Sequence, residues 1–138
     1  MKYGIVGSRS RKDRRSVVDF VNSLQPGDVV ISGGCRGVDT WAAEAARARG
    51  LKVVEFLPDL AGCRERWQYT RAYFARNEQI AQECDTLVAF VAEVRKGGTE
   101  NTIKHARKLG HEVIICPPPS SVPRSTKTQP LLFPPASV

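Results

Sequence analysis

The chain has no run of about 18 apolar residues, the length a membrane-crossing helix needs. Its opening stretch, Met1 to Gly7, is apolar over too few residues to be a signal peptide. Cytoplasm is therefore the expected compartment, and no membrane partner is expected. Cysteine is sparse and badly spaced for metal. The four thiols stand at 35, 63, 84 and 116 without a C-x-x-C pair, and there are only two histidines. A zinc site wants closely spaced ligand pairs, so reduced, unpaired cysteines and no metal are expected. Cys35 reads as a small residue filling a turn. Neither G-x-G-x-x-G nor G-x-x-x-x-G-K-[ST] occurs, which argues against an ordinary NAD dehydrogenase or a P-loop ATPase. No internal repeat shows.

What is present is positive charge and short apolar runs. The net charge of +7 in 138 residues favours polyanions or phosphorylated ligands, without choosing between a nucleotide and a nucleic acid. Arg9, Arg11, Lys12, Arg14 and Arg15 crowd one loop-to-helix junction, a cluster that is either a polyanion contact or a solvated helix start. Arg64, Arg66, Arg71 and Arg76 recur through a later segment.

Residues 2–7 read as a first strand. A helix follows from about Asp13, with Val17, Phe20, Val21 and Leu24 at helical spacing, and Pro26-Gly27 ends it. Residues 28–32 form a second strand, and 38–49 an alanine-rich helix closed by Gly50. A third strand spans 52–57, a loop 59–66, and a helix 67–82. Residues 86–91 are the most apolar strand, 93–98 a loop, 99–109 a helix stopped by Gly110, and 112–116 a fifth strand. Near-continuous apolar strands separated by helices predict a Rossmann-like, doubly wound parallel five-stranded sheet with helices on both faces. Residues 117–138 hold seven of the nine prolines. They read as an extended tail after a domain of residues 1–116.

Three loops after strands carry glycines and anion donors: Gly7-Ser8-Arg9-Ser10, then Gly33-Gly34-Cys35-Arg36-Gly37, then Lys96-Gly97-Gly98-Thr99-Glu100-Asn101-Thr102. Parallel strands bring all three to one edge of the sheet, where helix N-termini can face an anion. An arginine held between glycines, Arg36, is hard to explain structurally and reads as a phosphate contact. Asp39 is either a first-turn helix acid or a ligand contact. Trp41 and Trp67 read as core or self-association contacts.

These motifs, Gly7-Ser8-Arg9, Ser32-Gly33-Gly34-Cys35-Arg36-Gly37-Val38-Asp39, Arg76-Asn77 and Gly97-Gly98-Thr99-Glu100-Asn101-Thr102, resemble the SLOG superfamily over roughly residues 2–116. That group includes the Rossmann-like domain of DNA-processing protein A and the "lonely guy" phosphoribohydrolases. The resemblance implies a pocket for a nucleotide or nucleotide derivative at the strand ends, often in a homodimer, with no separate cofactor. It implies that Gly7, Ser8 and Arg9 line one wall and that Gly33, Gly34, Arg36 and Gly37 cradle phosphate. Asp39 would orient an arginine or a ribose hydroxyl, Arg76 and Asn77 would approach from the third helix, and Gly97, Gly98, Thr99 and Thr102 would close the other side. The phosphoribohydrolases carry P-G-G-x-G-T-x-x-E, whose glutamate does the acid/base work. Here Thr102 stands at that position, which leaves Glu100 and Asp39 as the candidate catalytic carboxylates. The expected function is a nucleotide-binding module. The alternatives are a nucleotide N-glycosidic or phosphoribosyl hydrolase and a single-stranded DNA binder.

Overall fold

The computed structural model describes residues 1–119. Five strands alternate with four helices: β1 (Lys2–Gly7), α1 (Arg14–Asn22), β2 (Val29–Ser32), α2 (Val38–Ala48), β3 (Lys52–Glu55), α3 (Arg66–Glu83), β4 (Thr86–Phe90), α4 (Gly98–Lys108) and β5 (Glu112–Cys116). All neighbouring strands pair in parallel, in the order β3-β2-β1-β4-β5. The doubly wound parallel sheet expected from the sequence is thus the observed one. The reading of the proline-rich tail lies outside the described residues from 120 onward.

The strand order follows from what each strand must bury. β4 is buried at every position, which an apolar run with helices on both faces requires. One core layer joins Ile5, Val30, Val88 and Phe90 to Val17 and Val21 of α1 and to Val38, Ala42 and Ala46 of α2. The other joins Val6, Ile31, Leu87 and Ala89 to Ile80 and Ala81 of α3 and to Ile103 and Ala106 of α4. Small residues permit close approach. A Cβ at Gly7 would lie 2.7 Å from the Cβ of Val38, so α2 can settle against the end of β1 only because position 7 is glycine.

Element ends differ from the sequence expectation by a residue or two. β3 stops at Glu55 because its neighbour β2 stops at Ser32. Phe56 N–H makes one more bond to the Ser32 carbonyl, at 2.9 Å, and Leu57 is then exposed. The end of α1 is held from outside, since Arg49 Nη1 donates to the carbonyls of Val21 and Leu24 at 2.8 and 2.7 Å.

α3 buries only its second half, at Arg76, Asn77, Ile80 and Ala81. Its first turn is fixed by Gln68 Oε1, which accepts from the N–H groups of Glu65 at 2.8 Å and Arg64 at 2.6 Å. The first half of α3 therefore projects past the sheet, beside the carboxyl ends of the strands.

Candidate functional site

β1 lies between β2, reached through α1, and β4, reached after the chain crosses to the other face. Ligands of open α/β sheets bind in the crevice outside the strands at such a reversal. A cavity of about 340 Å³ occupies this place, at the small end of the range for ligand sites. Its lining comes from the β1 loop (Gly7, Ser8, Arg9), from Cys35 and Asp39 after β2, and from Lys96, Gly98, Thr99 and Thr102 after β4. The α3 wall contributes Thr70, Tyr73, Phe74, Arg76 and Asn77.

Nine residues named from the sequence thus meet in one cavity: Gly7, Ser8, Arg9, Asp39, Arg76, Asn77, Gly98, Thr99 and Thr102. Five others named there, Gly33, Gly34, Arg36, Gly37 and Gly97, do not line it. For the first four the reason lies in the β2–α2 loop, while Gly97 is the cap residue just before α4. Asp39 is buried, and its Oδ2 accepts from Cys35 N–H at 3.2 Å, while Gly34 N–H donates to Ser32 Oγ at 3.3 Å. The loop's own carboxylate and hydroxyl thus take two of the donors that a phosphate would otherwise use. Gly37, at φ 85°, then starts α2, and Arg36 is exposed on the far side of the loop, beside Lys12 and Trp41.

Arg76 is the buried cation of the site. Its Nη1 donates to the Gly33 carbonyl and, at 3.4 Å, to the Phe56 carbonyl. Nε donates to Asn77 Oδ1 at 3.1 Å, and Nη2 lies 3.4 Å from Cys35 Sγ. The guanidinium also sits over the Tyr73 ring, 5.7 Å from its centroid. A Cβ at Gly33 would come within 2.6 Å of Nη1, so glycine at 33 makes room for the arginine. Asn77 Nδ2 ties this wall to α4 through Gly98 O and Asn101 Oδ1, both at 3.3 Å. Thr102 Oγ1 donates back to Gly98 O at 3.0 Å.

The two candidate carboxylates are set apart by this geometry. Burial pushes the Asp39 carboxyl up from 3.8 to about 6, against the opposing pull of the Cys35 N–H and the Arg76 charge. Glu100 instead forms a forked pair with Arg95, with Nε to Oε2 at 2.8 Å and Nη2 to Oε1 at 3.0 Å, and it is absent from the cavity lining. Among the described residues no group of three His, Cys, Asp or Glu side chains could hold a metal ion. The four cysteines are unpaired.

Arg11 has a different place from its neighbours in the basic run. It is 6% exposed and grips Asp13 through both Nε and Nη2. Its Nη1 donates to Val91 O at 3.1 Å and Cys116 O at 2.8 Å, which ties the ends of β4 and β5 to the β1 loop. This pairing holds the Asp13 carboxyl below its ordinary value. Thr70, Tyr73 and Phe74 belong to the cavity without having been singled out in the sequence, and Lys96, at the head of the glycine loop after β4, joins them. A helix continuing beyond the sheet edge is the feature that brings the first three there.

Residues 5–62 match the model of the YAcAr family, described as a YspA, cpYpsA-related SLOG family. No curated protein matches the chain by sequence. Among solved structures, DNA processing protein A from Streptococcus pneumoniae aligns with a TM-score of 0.68 at 23% identity, over 83% of this chain and 49% of that one. This chain thus spans about half the length of that protein, and the likeness is one of fold. Across the β1 and β2 loops the chain is thus similar to a SLOG family, and its fold is shared with that DNA processing protein.

Proposed function

We propose that the crevice binds a nucleotide or nucleotide derivative and holds its phosphate between Arg9 and the first turn of α4. The observation that carries this reading is the division of labour among the three loops. The β2 loop has its own Asp39 seated against its backbone. Arg9, which has no ion pair among the described residues, and the helix start at Gly98 and Thr99 face the cavity. An 11-residue helix presents unpaired N–H groups and partial positive charge at that end. Lys96 adds a further cation, and Tyr73 and Phe74 supply apolar wall for a base or sugar.

The test is a thermal-shift panel of nucleoside monophosphates and diphosphates, followed by titration calorimetry on the best ligand. Arg9 is exposed, so Arg9→Ala should leave the melting point alone. It should weaken binding by about tenfold or more, the worth of one charge-assisted contact. Equal affinity in wild type and Arg9→Ala would remove the phosphate site from this place.

A second reading, cleavage of an N-glycosidic or phosphoribosyl bond, is favoured by one observation. Asp39 is a buried carboxyl in the cavity that titrates near 6, a range suited to acid/base work. In that reading Asp39, and not Glu100, does the chemistry, and Asp39→Asn abolishes release of free base while nucleotide binding persists. The third reading, single-stranded DNA binding, is separated by its steep salt dependence. Self-association as a homodimer fits the exposed apolar side chains Leu57, Trp67 and Phe74 around the first half of α3, and sedimentation velocity decides it.

A further inference from the structure

The β2–α2 loop separates two concavities. Cys35 faces the crevice, while Arg36, the next residue, faces a neighbouring groove lined among the described residues by Arg9, Arg11, Lys12, Arg36, Gly37 and Trp41. Arg9 lines both. Among the described residues the groove lining contains no carboxylate. Arg11 already has its counter-charge in Asp13, whereas Arg9, Lys12 and Arg36 form no ion pair among the described residues. Their neighbour Arg14 does, reaching Glu44 at 3.2 Å. Three unmatched cations therefore converge on one recess, although acidic partners were available to other arginines of the same run. Trp41 packs on the α1–α2 core and remains half-buried, so part of its ring faces the groove.

From this juxtaposition we infer that the site is bipartite, with Arg9 as the shared element. The ligand is a nucleotide that carries a second phosphate, which leaves the crevice past Arg9 and is bound by Lys12 and Arg36 in the groove. This rests on the crevice reading above and adds the chemical class of the ligand. Lone surface cations carry little affinity. Two of them converging on one phosphate make charge-assisted bonds of the kind that raise affinity by about tenfold or more. The second phosphate has two chemical sources, a diphosphate on the same nucleoside or a phosphodiester to a next nucleoside.

The experiment compares adenosine monophosphate, adenosine diphosphate and the 5′-phosphorylated dinucleotide pApA by titration calorimetry on the full chain. It is repeated on the double variant Lys12→Gln/Arg36→Gln. Both side chains are exposed, and an unchanged melting point verifies the fold. The expected result is that at least one two-phosphate ligand binds wild type about tenfold or more tightly than the monophosphate. That gain disappears in the double variant, while monophosphate affinity stays within twofold. Which ligand gains identifies the source. In a Trp67→Phe background the gain should be accompanied by a change in Trp41 fluorescence. Equal affinities for all three ligands in wild type, or a gain that survives in the double variant, overturns the bipartite site but leaves the crevice standing. Absence of binding by all three defeats both.

Discussion

Replacing Asp39 by asparagine removes a carboxylate that the fold holds at a loss. Moving this group from 3.8 in the open chain to about 6 in the folded one sets about 3 kcal/mol against the ionised form at neutral pH. Because the folded value is the higher one, the associated stability is fully present below about pH 3.8. It is lost as the pH rises through about 6. Asp13 and Asp28 are shifted downward, so they contribute in the opposite sense, and the informative quantity is wild type minus variant. Urea unfolding of both proteins at several pH values between 4 and 7 supplies it. Asparagine cannot ionise, and its carbonyl can still accept from Cys35 N–H. The attraction between buried Arg76 and the ionised carboxylate is already contained in the folded value of about 6. The stability difference should therefore move in favour of Asp39→Asn by about 2–3 kcal/mol from pH 4 to pH 7. A difference that stays constant across the window, or moves the other way, refutes the argument that burial dominates this carboxyl.

Three further outcomes follow from the contacts. Arg11→Ala strands the Val91 and Cys116 carbonyls and unpairs Asp13. It should lower stability in urea by about 2–4 kcal/mol, and nucleotide affinity should change little if the protein still folds. Gly7→Ala drives a Cβ into Val38 and should cost about 1–3 kcal/mol by the same measurement. Glu100→Gln breaks only the partly exposed pair with Arg95. It should change stability by less than about 1 kcal/mol and leave ligand affinity unaltered, checked by urea unfolding and calorimetry.

The fold was legible because a parallel sheet covered on both faces writes itself as continuous apolar runs, β4 most plainly. Strand ends were less so, since β3 ends where its neighbour does and not where its own apolar run stops. The site divided by residue. Glycine loops after β1 and β4 could be placed because chain direction alone carries them to one edge. Arg36 and Arg76 could not be told apart by composition. Arg36 sits between glycines yet points away from the crevice, whereas Arg76, on an ordinary-looking polar helix, is the one that is buried. What decides this is the absence of a side chain at Gly33, which opens space for Arg76. A packing relation between residues 43 positions apart leaves no local pattern. Arg11 was hidden in the same way, inside a run of cations whose other members stay at the surface.

The central claim is that a phosphate sits between the β1 loop and the start of α4. An amide chemical-shift titration of the labelled protein with adenosine monophosphate locates it directly. The account predicts saturable shifts shared by Ser8, Arg9, Gly98 and Thr99, with Gly34 and Cys35 moving less because Ser32 and Asp39 already hold their N–H groups. Shifts confined to Gly34–Gly37, or absent from Gly98 and Thr99, would contradict it.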